Sequence, residues 1–166
     1  MDAVTFRVAG RGDLAAVDAL LARSYPRLLK ADYPASVLVT ALPLISRARP
    51  ELVVSGSYWL ALLGGAVVGA GGWTPDAPGG GAAVPQLGHV RHVVTDAEQV
   101  RQGIGRGLMA RVLDQARAAG MRRLDCLSTR TAVPFYAALG FRVLGPVEVP
   151  LRPGIGFPAV RMECNL

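Results

Sequence analysis

A glycine-rich turn between a strand pattern and a long helix pattern constrains the fold of this chain more than any other feature. Residues 89–95 have the composition of a strand, and apolar residues then recur at helical spacing from Gly103 to Ala119. A second strand pattern follows at Arg123–Leu127. A strand, a helix and a strand form a βαβ unit, so we predict a parallel strand pair with a right-handed crossover.

The turn itself has the chemistry of a phosphate site. The first N–H groups of a helix have no intrahelical acceptor and carry the positive end of the helix dipole. Glycines let an anion approach the backbone, and polar side chains beside them add donors. The residues concerned are Arg101, Gln102, Gly103, Ile104, Gly105, Arg106 and Gly107. A glycine-rich helix start without any ligand is an equally good reading of the turn alone.

Two familiar phosphate motifs are excluded by spacing. The dinucleotide motif G-x-G-x-x-G would need a glycine where Leu108 stands. A P-loop needs G-x-x-x-x-G-K followed by Ser or Thr, and the only lysine of the chain is Lys30. The turn therefore belongs to neither class.

Length and charge narrow the function classes. At 166 residues without a linker, the chain is predicted to form one domain over residues 1–166. The net charge is +6, and residues 89–130 hold eight arginines against four acids. This excess suits a small polyanion, whereas the basic clusters with interleaved aromatics of a nucleic-acid surface are missing. We therefore expect no nucleic-acid partner.

Metal, disulfide and membrane roles are not expected either. Cys126 and Cys164 lack metal-ligand spacing, and we expect two reduced, buried thiols and no metal site. The apolar run Tyr58–Trp73 is too short and too glycine-rich to span a bilayer, and we predict a hairpin with a turn at Gly64-Gly65. The N-terminus has no signal-peptide pattern, which favours a soluble, cytoplasmic protein.

The rest of the chain is predicted more coarsely. A strand at Val4–Val8 precedes a helix that begins near Asp13, its expected N-cap. Prolines at 26, 34, 43 and 50 predict short helical pieces and loops between Ser24 and Pro50. An exposed loop is expected at Thr74–Pro85. A short helix at Val133–Leu139 and strands at residues 141–149 and 160–165 complete the pattern.

The second motif lies one strand after the glycine turn, in residues 132–141, where the sequence A-V-P-F-Y-A-A-L-G-F has the form A-x-x-x-Y-x-x-x-G-F. The two motifs in this order resemble the GNAT superfamily of acetyl-CoA-dependent N-acetyltransferases. The resemblance implies an α/β (α+β) fold, with a mixed, mostly antiparallel sheet, one splayed parallel strand pair and helices on both faces. It also implies acetyl-CoA as cosubstrate.

The resemblance implies a role for each part of the site. The turn from Arg101 to Gly107 would hold the coenzyme A pyrophosphate. The backbone of Val93, Val94 and Thr95 would pair with the pantetheine arm, and an N–H near Val93 or Val94 would meet the oxyanion. Tyr136 matches the general acid of the family, although a core tyrosine is the alternative interpretation.

The general base stays open at this stage. His89 lies fourteen residues before Gly103, where histone acetyltransferases of the superfamily carry a catalytic glutamate. A neutral imidazole could accept a proton there. His92 would face the other side of an ideal strand, and a bulge would reverse that argument. In the alternative, both histidines are structural and water carries the proton.

Besides the absence of a carboxylate at the position of the catalytic glutamate, two positions depart from the family pattern. Val100 stands where the family often has Arg or Gln, and Thr129 stands where it often has Asn. Either Ser128 or Thr129 is therefore left to hydrogen-bond the pantetheine. Both departures bear on the strength of coenzyme A binding.

The acceptor is expected to be a small-molecule amine, with a protein N-terminus or lysine as alternatives. Residues 24–50 would shape its site, and the candidate walls are Tyr25, Tyr33, Trp59 and Trp73. Few acids lie there, which disfavours a polycation. Two other functions remain open, a catalytically silent acyl-CoA-binding module and, ranked far lower, a nucleic-acid-binding domain. A homodimer is possible.

Overall fold

The computed structural model describes residues 3–100 and 102–166 and contains one seven-stranded sheet. The strands are β1 (Thr5–Val8), β2 (Tyr58–Leu63), β3 (Ala66–Thr74), β4 (Leu87–Thr95), β5 (Arg123–Ser128), β6 (Arg142–Arg152) and β7 (Ile155–Asn165). The helices are α1 (Leu14–Leu29), α2 (Ala35–Ile45), α3 (Pro50–Val53), α4 (Ile104–Ala118) and α5 (Val133–Ala138).

The sheet has the order β1-β2-β3-β4-β5-β7-β6. Its β4–β5 pair is parallel, and the other neighbouring pairs are antiparallel. The βαβ unit predicted from the glycine turn is thus confirmed, with α4 as its crossover helix. The hairpin predicted around Gly64-Gly65 is also confirmed, because β2 and β3 pair on either side of that turn.

Helices cover both faces of the sheet, as alternate residues of β2 demonstrate. Leu60 packs in one cluster with Leu20 and Leu21 of α1, whereas Ala61 packs with Ile104 and Leu108 of α4. Successive strand residues point to opposite faces. The predicted architecture is therefore confirmed, with α1 on one face and α4 on the other.

The predicted breaks at two prolines are wrong. Pro26 lies inside α1 and Pro43 lies inside α2, so both helices are longer than the sequence pattern indicated. An interior proline costs roughly 3 kcal/mol of helix stability. The C-terminal part of α1 nevertheless buries Tyr25 and Leu29, and this burial outweighs that local cost.

Asp13 occupies the N-cap position of α1, as predicted, but its side chain makes no capping hydrogen bond to that helix. Its Oδ2 accepts the N–H of Gly10 at 2.7 Å and pairs with Arg7 at 2.8 Å. These bonds close the short 3-10 turn Arg11–Asp13 that leads into the helix. The carboxylate thus stabilises the start of the turn, one element earlier than the sequence predicted.

In the described ranges 3–100 and 102–166, no helix has the length and apolar character needed to cross a bilayer.

Candidate active site

One large cavity, of about 840 Å³, opens where β4 and β5 separate. The two strands pair only from Leu87 to His89, opposite residues 123–125, and then diverge. The cavity is lined beyond that point by β4, β5 and the first turn of α4. The sheet is therefore open along part of β4, and an extended molecule could lie against this edge.

A β-bulge lies in β4 next to the opening. Arg91 is paired with Gly72 and Val94 with Ala70, so that His92 and Val93 together oppose Gly71. His92 has a φ of 49°. The bulge reverses the ideal alternation, and it brings His92 to the cavity wall.

The glycine turn presents backbone donors to the cavity. Gly103 precedes α4 with a φ of 76°, and the first helical bond runs from the N–H of Gly107 to the carbonyl of Gly103 at 2.9 Å. The N–H groups of Ile104, Gly105 and Arg106 therefore have no intrahelical acceptor. These three residues and Gly103 all line the cavity.

The glycines of the turn have different neighbours. A Cβ on Gly105 would lie 2.9 Å from the Phe135 ring, at the cavity wall. A Cβ on Gly107 would overlap the ring of Phe6, on the core side of the helix. Gly107 does not line the cavity, so its small size serves packing, contrary to the role expected from the sequence.

Tyr136 lies on α5 and lines the cavity. The side chain is buried and packs edge to face against Phe135 and Phe141, with ring centroids 5.1 and 5.3 Å away. Burial raises the pKa of its phenol well above the ordinary value, and the neighbouring Cys126 contributes to the rise. The phenol therefore keeps its proton at neutral pH.

Cys126 lines the cavity beside Tyr136. Burial raises the pKa of its thiol to about 12. A thiolate formed at this place would thus be a much stronger base than a thiolate in water.

The two histidines occupy different places. His89 lines a separate pocket of about 180 Å³ together with Asp125 and Arg161, and burial lowers its pKa. The structure does not bring this imidazole to the large cavity. His92 does line the cavity, with its Nε2 at 3.1 Å from the carbonyl of Ile45. Because a carbonyl only accepts, Nε2 carries the proton and Nδ1 holds the lone pair.

The pKa of His92 is lowered to about 4, chiefly by burial. The imidazole is therefore neutral at pH 7, and it is a weak proton acceptor.

The remaining residues expected at the site divide into three groups. Val93, Val94, Thr95 and Thr129 line the cavity. Gln102 does not, since its amide donates to Gln99 Oε1 at 2.9 Å. Arg101 lies outside the described residues. The hydroxyl of Thr129 accepts the N–H of Ala132 at 3.2 Å, and the hydroxyl of Ser128 donates to the carbonyl of Thr129 at 2.7 Å.

Only one of the four aromatic residues suggested as acceptor walls lines the cavity, namely Tyr25. Tyr33 stacks on Phe157 and its hydroxyl donates to the carbonyl of Pro158 at 2.7 Å. Trp59 and Trp73 both donate their indole N–H to Gln115 Oε1, at 3.1 and 3.0 Å. These three side chains belong to the core.

The charged side chains at the cavity are all basic in the described part of the chain: Arg49, Arg91 and Arg106 line it, and no Asp or Glu does. Sequence reasoning anticipated Arg106 and missed the other two. The available signal was the pair Arg47 and Arg49, next to Pro50 and distant in sequence from the glycine turn.

Comparison with known proteins agrees with this geometry. Residues 49–166 match the family model described as Acetyltransferase (GNAT) domain. No curated protein sequence matches the chain significantly. The fold has many solved counterparts, of which three are described next.

The PaiA N-acetyltransferase of Thermoplasma acidophilum, solved with coenzyme A, is 12% identical, with 99% of each chain covered and a TM-score of 0.73. A GCN5-related N-acetyltransferase of Rhodopseudomonas palustris is 21% identical, with 100% of this chain and 96% of that chain covered and a TM-score of 0.78. The N-acetylglutamate synthase of Neisseria gonorrhoeae, solved with coenzyme A and N-acetyl-glutamate, is 19% identical, with 99% of this chain and 35% of that chain covered and a TM-score of 0.65.

The splayed sheet and the cavity at its opening define an acyltransferase fold. Since the family model covers more than two thirds of its length, the chain belongs to the GNAT family of acetyl-CoA-dependent N-acetyltransferases. In residues 3–100 and 102–166, no group of three or more His, Cys, Asp or Glu side chains could hold a metal ion.

Proposed function

We propose that this protein transfers the acetyl group of acetyl-CoA to a primary amine of a small molecule by direct attack. One observation carries the proposal: a single cavity of about 840 Å³ holds the free amides of the glycine turn, the open edge of β4 and the Tyr136 side chain. These groups suit the phosphates, the pantetheine arm and the thioester of one extended cosubstrate.

The turn end suits the pyrophosphate. The amides of Ile104, Gly105 and Arg106 have no intrahelical acceptor, and the helix dipole favours an anion beside them. The Arg106 side chain adds a positive charge at the same end. Thr95 lies next to Gly105, so a chain that leaves the phosphates meets β4 directly.

Tyr136 is proposed as the general acid. The amine nitrogen attacks the carbonyl carbon, the new C–N bond forms as the C–S bond breaks, and the departing thiolate takes the phenolic proton. The raised pKa of Tyr136 does not prevent this step, because the same apolar surroundings raise the pKa of the Cys126 thiol to about 12. A thiolate desolvated there is basic enough to accept the proton.

The ammonium form of the acceptor has to lose a proton before attack, and we assign this step to water. His89 lies in the other pocket, and the pKa of about 4 leaves His92 a weak acceptor. The proton released by the acceptor leaves through solvent, and solvent reprotonates Tyr136. The overall reaction converts one amine and one thioester into one amide and one thiol.

The test is Tyr136→Phe, assayed by thiol release from acetyl-CoA with a panel of small primary amines. We expect kcat to fall by about 100-fold or more, the usual range for a lost general acid. Coenzyme A should still raise the melting temperature as it does for the wild type, because the phosphate turn is intact. Tyr33→Phe is the matched control, since it removes a phenol outside the cavity, and its kcat should stay at the wild-type value.

Two results would contradict the proposal. If the wild type is stabilised by coenzyme A and yet releases no thiol with any amine, the protein is a silent binding module. If Tyr136→Phe keeps full kcat, the phenol is a core group and another donor protonates the thiolate.

A further inference from the structure

We propose that Arg49 and Arg91 bind a carboxylate of the acceptor, so that the preferred substrates are apolar amino acids. This inference rests on the proposed function and adds the chemical class of its acceptor. Its starting point is the pair of cationic side chains that line the cavity away from the glycine turn.

Arg91 is held in place with most of its donors free. It lies on β4, is half-buried, and donates from one terminal nitrogen to the hydroxyl of Thr74 at 3.0 Å. The Thr74 hydroxyl in turn donates to the carbonyl of Asp76 at 2.8 Å. Within the described chain, no other hydrogen bond engages the guanidinium. Its remaining N–H groups can therefore form a bidentate contact with a carboxylate.

Arg49 is the second cation of this site. It directly precedes α3, is exposed, and lies close enough to Arg91 to lower the pKa of that guanidinium, after burial itself. It also helps to lower the pKa of His92. Two like charges and a neutral imidazole thus share one part of the cavity wall. An anion placed among them would reduce the repulsion between the two guanidinium groups.

The described part of the chain supplies no such anion within salt-bridge distance. Seven other arginines pair with a carboxylate at 4.0 Å or less, and neither Arg49 nor Arg91 is among them. Glu51 and Asp76 act on Arg91 only from a greater distance. Both acids are exposed and neither lines the cavity.

Position separates this pair from the phosphate turn. Arg91 precedes Thr95 by four residues on β4, and Thr95 is the residue that lies against Gly105. Because of the bulge, these two residues oppose Gly72 and Gly69 of β3, which are three residues apart, so at a rise of about 3.3 Å per residue the separation is roughly 10 Å. The two ends of the cavity can therefore take two different anions, a phosphate near Arg106 and a carboxylate near Arg91.

Apolar side chains make up much of the rest of the cavity lining. Tyr25, Leu29 and Ile45 contribute from the helical face, and Val149, Leu151 and Phe157 contribute from β6 and β7. A molecule that fits has a carboxylate for the arginines, an apolar body for these walls and an amine that reaches the thioester. An amino acid with an aliphatic side chain combines all three.

The test compares three acceptors that share the leucine side chain and differ at the carboxylate: leucine, leucinamide and 3-methylbutylamine. Each rate is expressed per concentration of neutral amine, because the replacement of the carboxylate also changes the pKa of the amine. We expect the wild type to use leucine at least about 10-fold better than the other two in kcat/KM. Arg91→Met should abolish this preference by raising the KM for leucine, and its KM for acetyl-CoA should stay unchanged. Arg91→Lys should keep part of the preference, and Arg49→Met should behave like Arg91→Met with a smaller effect. Arg47→Met is the matched control, because Arg47 does not line the cavity.

A binding measurement distinguishes a failure of this inference from a failure of the proposed function. With coenzyme A present, N-acetyl-leucine should bind more tightly than N-acetyl-leucinamide by calorimetry, whether or not the protein turns over. Equal binding or equal kcat/KM for acid and amide would overturn the carboxylate site and leave the acetyltransferase assignment untouched. A rise of the acetyl-CoA KM in Arg91→Met would overturn it as well, because the arginines would then bind a coenzyme A phosphate.

Discussion

The two ends of the cavity are built in different ways. The phosphate end consists of backbone amides from consecutive residues, Gly103 to Arg106, at the start of α4. The acceptor end is assembled from side chains of α1, the segment before α3, β4 and the β6–β7 pair. A site made of backbone leaves a local pattern in the sequence. A site made of side chains from distant elements leaves none.

The largest effect is expected where a glycine of the turn serves packing and not the ligand. Gly107→Ala places a Cβ against the ring of Phe6, which is itself covered by the Arg111 guanidinium at 3.9 Å. We expect the free energy of unfolding to fall by roughly 3 kcal/mol, the upper part of the range for overpacking. Urea denaturation measures it. Coenzyme A affinity of the folded variant should stay close to the wild-type value, because Gly107 does not line the cavity.

Two further variants sharpen this prediction. Gly12→Ala is the matched control, since a Cβ at Gly12 meets nothing within 4 Å, and its stability should hardly change. In a Phe6→Leu background the cost of Gly107→Ala should shrink, because the smaller side chain yields the space. A loss of coenzyme A binding without a loss of stability would contradict this prediction, because Gly107 would then contribute to the phosphate site.

This contrast explains what the sequence could predict. The turn, α4 and the parallel strands that flank it follow from local periodicity and glycine spacing, and the structure confirms them. Tyr136 was found through a motif that spans one short helix. Its place in the cavity wall agrees with that motif, and its role as general acid stays a proposal.

The acceptor end could not be predicted from local sequence patterns, for physical reasons. Pro26 and Pro43 suggested loops, yet tertiary burial keeps both residues in helices. The bulge that brings His92 to the cavity depends on the register of β4 against β3, in which His92 and Val93 oppose Gly71. Arg49 and Arg91 line the same cavity only after α2, α3 and β4 have packed. None of these contacts is local in sequence.

The next largest effect is expected from the titration of His92, at the acceptor end of the cavity. Burial lowers the pKa of His92 from 6.5 to about 4. Between these values the unfolded chain binds a proton that the folded chain does not, so the free energy of unfolding falls as the pH drops. We expect His92 to account for a loss of about 2 kcal/mol between about pH 7 and about pH 5. Urea denaturation at each pH checks it.

His92→Asn should flatten this pH dependence, because asparagine does not titrate and tolerates the positive φ of the bulge. The readout is the slope of the free energy of unfolding against pH. A loss of stability that is the same at every pH does not change this slope. His89→Asn serves as the control, and it should remove a smaller part of the slope, since His89 is less buried. Equal slopes in the wild type and His92→Asn would mean that the imidazole is accessible to protons in the folded state.

The smallest effect is expected at the phosphate end, from an exposed cation. Arg106 lines the cavity beside the free amides, but solvent screens its charge. Arg106→Met should therefore raise the KM for acetyl-CoA only about fivefold, or roughly 1 kcal/mol. The rise should shrink at high salt, and the KM for the acceptor should not change. This is the mirror image of the pattern expected for Arg91→Met. If both variants instead raise the same KM, the cavity has one anion site and the division into two ends is wrong.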